Sequence, residues 1–348
     1  MNPLVLTILL TGLGLGTTIT FMSSHWLLAW MGLEINTLAI IPLMIHHHHP
    51  RAVEATTKYF LAQATAAATI LFASMTNAWI TGEWGIQHMT HPLPTTLTIL
   101  ALALKIGLAP LHSWLPEVLQ GLDYTTGLIL STWQKLAPFA LLLQILPTSS
   151  DLLILLGLLS TLIAGWAGLN QTQLRKILAY SSIAHLGWMT LVLQFSPPLA
   201  LLTLLFYLIM TSSAFMMFKL NNTTNVNTLA TSWTKTPVVA ALSPLILLSL
   251  GGLPPLSGFA PKWLILSELT NQQMGTLATI AALSALLSLY FYLRLSYAMT
   301  LTMFPHSPLT PTSWRFTTTH LTLPLSISAT ATIFLLPLTP AAVSLITP

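Results

Sequence analysis

The sequence has no cysteine among its 348 residues, which excludes disulfides, thiolate metal sites and Cys-held iron–sulfur clusters. Charge is almost as scarce. Seven acids and eleven Lys+Arg leave the chain 5% charged, against about 25% in an ordinary globular domain. A soluble fold of this length needs far more polar surface, so a soluble globular enzyme is excluded. The formal net charge of +4 comes from scattered cations that form no basic stripe, which excludes nucleic acid as a partner. The first apolar run, MNPLVLTILL, has no basic leader or small-residue cleavage site ahead of it, and insertion from inside an organelle is expected. What the sequence does have is apolar residues, 54% of the total. It is expected to work inside a bilayer.

A helix crosses the roughly 30 Å hydrocarbon core with about 20 apolar residues. Breaks at Pro, Gly, Asn and charge clusters predict spans near 3–22, 25–45, 57–81, 95–120, 124–145, 151–169, 175–194, 198–219, 237–270, 275–303 and 322–345. The expected fold is therefore an all-α polytopic membrane protein of about eleven transmembrane helices. With that count, Arg51, Lys58, Arg175, Lys176, Lys219, Lys235 and Arg315 all fall in or beside loops on the N-terminal side. Loops on the other side carry no cation, only Glu83, Asp151 and Glu268. By the positive-inside rule the N-terminus faces the negative, matrix-like side and the C-terminus the opposite one.

Within the fourth span lies Gly107-Leu108-Ala109-Pro110-Leu111-His112-Ser113-Trp114-Leu115-Pro116-Glu117. Shifted by 145 residues it meets Gly252-Leu253-Pro254-Pro255-Leu256-Ser257-Gly258-Phe259-Ala260-Pro261-Lys262 in the ninth, with five of eleven positions identical. An offset of five spans reverses membrane direction. The reading is two inverted five-helix repeats, 1–145 and 151–303, each with a broken helix, followed by 304–348 as a loop and a C-terminal helix. Gly/Pro-interrupted helices at matching places point to a transport site, because freed backbone groups must line a hydrated or protein-buried cavity. Chance alignment of residues common in membrane helices is the plainer alternative.

Five ionisable groups remain inside spans: Glu34, Lys105, Lys135, Lys262 and Arg294; Glu117 stands just past the break. A charge at the centre of a lone helix costs at least about 2.5–3.5 kcal/mol, so these groups should face the bundle interior. Such lysines could simply fix helix packing. Burial disfavours a charged ammonium, so a lysine there can lose and regain a proton, whereas arginine stays charged. Lys105, Lys135 and Lys262 then read as titrating carriers and Arg294 as a fixed electrostatic element. If Glu34 pairs with Lys105 at about 5 Å, the pair is worth roughly 3 kcal/mol at an effective dielectric near 20. That is close to the ~2.3 kcal/mol stored per charge by 100 mV. His112, in the break, and His185, beside Ser181 and Ser182, are candidate relays, though a packing histidine is the alternative for each. The His46–His49 run lacks acidic ligands and reads as an interfacial loop, with no metal expected.

Several motifs carry a family resemblance: Trp30-Met31-Gly32-Leu33-Glu34, Lys105 to Val118, Thr132-Trp133-Gln134-Lys135, Arg175 to Ser182, and Gly251 to Lys262. On them the chain resembles the antiporter-like membrane-arm subunits of respiratory complex I (NADH:ubiquinone oxidoreductase), of the mitochondrially encoded vertebrate type. These are similar to Mrp-type cation/proton antiporters. The resemblance implies proton translocation across the inner mitochondrial membrane, coupled to electron transfer from NADH to ubiquinone in other subunits. It makes Glu34 and Lys105 the family's acid–lysine pair, Lys135 the central carrier and Lys262 the lysine of the second half. It implies an animal form shortened at its start, with eleven spans and a matrix-side N-terminus. NADH, FMN, iron–sulfur clusters and ubiquinone would all be held elsewhere, leaving no cofactor here; no nucleotide fingerprint follows a strand. Partners would be neighbouring antiporter-like and other membrane-arm subunits, and inner-membrane lipids such as cardiolipin. A stand-alone cation/proton antiporter and a non-conducting spacer that relays conformational change remain open.

Overall fold

The structure is a computed structural model and describes residues 2–46, 48–145, 150–234, 236–301 and 322–346. Lys235, Arg315 and His47 lie outside the described residues. Among those described there is no strand, only two isolated bridges, His25 with Gly85 and Gln173 with Asn225. The helices are α1 Pro3–Met22, α2 Trp26–Ile45, α3 Pro50–Thr81, α4 Pro92–Ile106, α5 Trp114–Gly121, α6 Tyr124–Ser131 and α7 Trp133–Gln144. They continue as α8 Ser150–Gly168, α9 Leu174–Val192, α10 Pro197–Asn221, α11 Val226–Ala230, α12 Pro237–Gly251, α13 Phe259–Asn271 and α14 Gly275–Thr300. Thr322–Phe334 and Thr339–Ile346 follow.

Among the described residues, six helices are long and apolar enough by themselves to cross a membrane: α1, α2, α3, α8, α10 and α14. A seventh span is available if Leu323–Phe334 and Leu336–Leu345, bent by 66°, count together. Large apolar side chains stand exposed along them, among them Leu4, Phe72, Trp79, Trp166 and Leu283. Lipid, not water, is the solvent that tolerates this. The chain is a multi-pass membrane protein.

The many threonines and serines within the spans are accommodated locally. Thr20, Thr98, Ser160, Thr203 and Ser243, all buried, each donate the hydroxyl to a carbonyl three residues back. A side chain satisfied by its own helix can sit in hydrocarbon or in a packed seam.

The chain divides into two units, residues 1–156 and 157–348, the cut falling in the first turns of α8 instead of the loop before it. In the first unit, α1 and α2 approach through Gly16 and Gly32. A Cβ on Gly16 would stand 2.4 Å from Asn36 Oδ1, and one on Gly32 2.6 Å from Thr20 Cγ2. Small residues bring membrane helices together where no hydrophobic force drives them.

In each unit a glycine closes the helix that leads into the Gly/Pro-rich break. In the first, α4 ends at Gly107 (φ 86), where the N–H groups of Gly107 and Leu108 both donate to Ala103 O at 2.8 and 2.9 Å. In the second, α12 ends at Gly252 (φ 77), with Gly252 N–H donating to Ser249 O at 2.9 Å and Leu253 N–H to Leu248 O at 3.3 Å. Both glycines are left-handed, the conformation that closes a helix without a Cβ penalty. Three boundaries of the second feature lie 145 residues after those of the first, Pro92 to Pro237, Ile106 to Gly251 and Trp114 to Phe259, while α13 runs on further than α5.

Candidate proton site

The first unit collects its polar groups where α4 stops. Ending a helix inside the membrane leaves carbonyls without partners. Trp114 Nε1, at the start of α5, donates to Leu104 O at 3.0 Å, and Gln63 Nε2 of α3 donates to Lys105 O at 3.4 Å. The Trp114 ring also meets Tyr59 edge-on, centroids 5.8 Å apart. The break is thus tied to α3 by side chains.

Lys105, in the last turn of α4, and Lys135, in the first turn of α7, line one small cavity with Asn36, Thr37, Tyr59, Gln63 and Gln134. Its volume of about 10 Å³ for water-sized centres is near what a single water needs. Lys105 is 5% exposed and Lys135 2%. Lys135 is presented by a second interruption, between α6 and α7. There Ser131 and Thr132 hydroxyls both donate to Leu128 O, at 3.1 and 2.6 Å, and Lys135 N–H donates to Thr132 O at 3.3 Å.

Glu34, on α2, is half-buried and interacts electrostatically with both Lys105 and Tyr59. Among the described residues, neither Lys105 Nζ nor Glu34 Oε2 has a hydrogen-bond partner, and neither do Asn36 Oδ1 and Nδ2. Gln134 Nε2 donates to Asn36 O at 3.2 Å, holding α7 to α2. A buried lysine and a half-buried carboxylate thus influence each other electrostatically with no hydrogen bond between Lys105 Nζ and the carboxylate.

The other expected residues lie apart. Glu117 is exposed and shares Lys58 with Glu54, Lys58 Nζ standing 2.8 Å from Glu117 Oε2 and 2.7 Å from Glu54 Oε1. His112 is half-buried in the break and hydrogen-bonds the Pro110 backbone. In the His46–His49 run, His49 caps α3, its Nδ1 accepting from Arg51 N–H at 3.2 Å. No group of three or more metal-ligating side chains occurs among the described residues.

In the second unit Lys262, at the start of α13, reaches back across the break and donates to Gly251 O at 2.7 Å. A Cβ on Gly252 would lie 2.8 Å from Lys262 Cδ, so glycine leaves the lysine its path. An ammonium at a helix C-terminus satisfies an orphan carbonyl and opposes the negative end of the dipole. His185 packs against Tyr207, ring centroids 5.8 Å apart, and Tyr207 hydrogen-bonds Ser182. Arg294 donates through both terminal nitrogens to Leu169 O and Gln171 O, just past α8. Asn36, Gln63 and Tyr59 were not singled out in the sequence, and Gln134 and Trp114 stood there only as members of longer motifs. Their signal was weak, since uncharged polar groups are common in membrane helices.

Residues 23–288 match the family described as NADH:quinone oxidoreductase/Mrp antiporter, TM, and residues 289–343 match NADH dehydrogenase subunit 2 C-terminus. NADH-ubiquinone oxidoreductase chain 2 of Tetraodon nigroviridis is 71% identical over 99% of both chains, and that of Salmo salar 70% over the whole of both. The chain belongs to the NADH-ubiquinone oxidoreductase chain 2 family. Respiratory complex I of Thermus thermophilus contains a chain of similar structure, with TM-score 0.79 and 29% identity over 94% of this chain and 78% of that one. A chain of the Mrp complex of Dietzia sp. DQ12-45-1b shares the fold, with TM-score 0.76 and 18% identity over 83% of this chain and 59% of that one. As a member of this family the chain is an antiporter-like membrane-arm subunit of complex I.

Proposed function

We propose that this subunit moves protons across the inner mitochondrial membrane through the Glu34–Lys105–Lys135 cluster, driven by electron transfer from NADH to ubiquinone in other subunits. The observation that carries the reading is the cavity at the α4 break. Two nearly inaccessible lysines share it, and one of them has a carboxylate in electrostatic range without a bond to it. Making and breaking the Glu34–Lys105 contact changes how readily Lys105 gives up its proton, and Lys135 is the next acceptor along the same wall. Lys262 does the corresponding work in the second unit, with Gly251 O as its resting partner. His112, His185 and water bridge the gaps, Glu117 meets the aqueous phase, and Arg294 holds a fixed charge.

The finer architecture belongs to the same proposal: eleven spans, with α4–α5 and α12–α13 as copies within two inverted five-helix repeats, 1–145 and 151–303. The common 145-residue spacing and the two left-handed glycines support it. The redox groups are assigned to other subunits, neighbouring membrane-arm subunits and lipids such as cardiolipin are the partners, and the N-terminus is on the matrix side. Lys135→Ala in an assembled complex is expected to lower the protons pumped per NADH. An unchanged ratio defeats the proposal.

A further inference from the structure

Three helices of the first unit are capped by histidine. In each, the imidazole Nδ1 accepts the backbone N–H two residues on: from Leu27 to His25 at 3.2 Å, from Arg51 to His49 at 3.2 Å, and from Leu93 to His91 at 3.4 Å. Ser, Thr, Asp and Asn ordinarily occupy such positions. An imidazole accepts at Nδ1 only while neutral, because both nitrogens donate once it is protonated. A proton therefore removes the acceptor and sets a positive charge against the positive end of the helix.

Two of these caps belong together. His25 starts α2, which carries Glu34, and His91 starts α4, which carries Lys105. The start of α2 is stitched to the connection that leads into α4: Trp26 N–H donates to Trp84 O and Ile86 N–H to Ser24 O, both at 3.1 Å, and His25 bridges to Gly85. The His25 ring stacks on Trp84, 5.7 Å between centroids and 7° between planes. With α3 running back between them, both caps lie at the membrane face opposite the N-terminus, whereas His49 caps α3 at the other face. The titratable groups of the 82–91 connection are Glu83 and His88, which pair at 3.4 Å, Nδ1 to Oε2. The last turns of α1, α3 and α7, which pack against these helices, contain no titratable residue.

We infer that His25 and His91 are positioning residues for the Glu34–Lys105 pair, holding the starts of α2 and α4 while neutral and releasing both when protonated from that face. At 1.5 Å per residue the caps stand roughly 13 Å from Glu34 and 21 Å from Lys105, so the coupling runs along the helices and not through a direct field. The importance given to Glu34 and Lys105 rests on the proton reading above; the caps do not depend on it.

Hydrogen exchange of the assembled complex tests this, followed at the starts of α2 and α4 at about pH 7.5 and about pH 5.5. Rates are corrected for the intrinsic pH dependence of exchange. In the wild type the Leu27 and Leu93 amides are expected to lose protection by about fivefold at the lower pH, the equivalent of a typical cap. The double variant His25→Asn/His91→Asn, whose amide oxygens accept at either pH, keeps its protection. His25→Ala/His91→Ala is unprotected at both. Protons pumped per NADH are expected to fall at the acid pH in the wild type and to stay level in the Asn variant. Equal wild-type protection at both pH values, or the same acid loss in the Asn variant, overturns the caps as switches. A protection switch with no matching change in the pumping ratio overturns their positioning role. Failure of the Lys135→Ala test leaves the protection switch in place, so the two ideas fail separately.

Discussion

At the scale of single residues, the α4 break depends on a left-handed glycine, and Gly82 at the end of α3 offers a comparison in the same conformation. Gly107 sits at φ 86, and a Cβ there would press on Leu115 Cδ1 at 2.9 Å; Gly82 sits at φ 78 with open space around it. Gly82→Ala carries only the left-handed penalty, roughly 1–2 kcal/mol. Gly107→Ala must also displace Leu115, next to the Trp114 that holds the end of α4. Thermal melting of the assembled complex is expected to show Gly107→Ala less stable than Gly82→Ala. Equal melting temperatures would mean the break has room to spare. Legibility at this scale followed charge. Lys105, Lys135 and Glu34 stand out of an apolar background, because each would be costly without a purpose. Asn36, with both amide atoms buried and unbonded among the described residues, could not be told from ordinary helix-packing polar groups.

At the scale of elements, helix ends position the chemistry. The α4 and α12 interruptions are written in Gly and Pro and were legible; the break between α6 and α7 was not, and 124–145 read as one continuous span. No Gly or Pro stands at Ser131–Trp133 itself, although Gly127 and Pro138 flank it. The Ser131 and Thr132 hydroxyls and the Thr132 N–H all donate to Leu128 O, and the backbone departs from helical geometry at Thr132 (φ −110, ψ −70), just ahead of Lys135. The close packing of α1 on α2 was equally hidden, since Gly16 and Gly32 acquire meaning only once the helices face each other. Gly16→Leu should force α1 away from Asn36, with an overpacking cost of about 1–3 kcal/mol. The expected result is reduced assembly or melting temperature together with lower pumping per NADH, because α2 carries Glu34. Normal assembly and normal pumping would show that the α1–α2 seam does not set the site.

At the scale of the whole molecule, scarcity of charge and lack of cysteine already directed attention to the bilayer and away from redox chemistry in the chain itself. The described helices bear out the all-helical membrane character, and the family is settled by relatives matched along their full length. Hydration and the relation between the two units were never legible, because neither is encoded in residue type or local spacing. The central claim is that the buried acid–lysine pair of the first unit belongs to the coupled proton machinery. The most direct test is paired electron and proton flux in vesicles containing the intact complex with Lys105→Ala. The account predicts that NADH oxidation and pumping fall together while the complex remains assembled; normal rates of both would contradict it and leave Lys105 a structural residue.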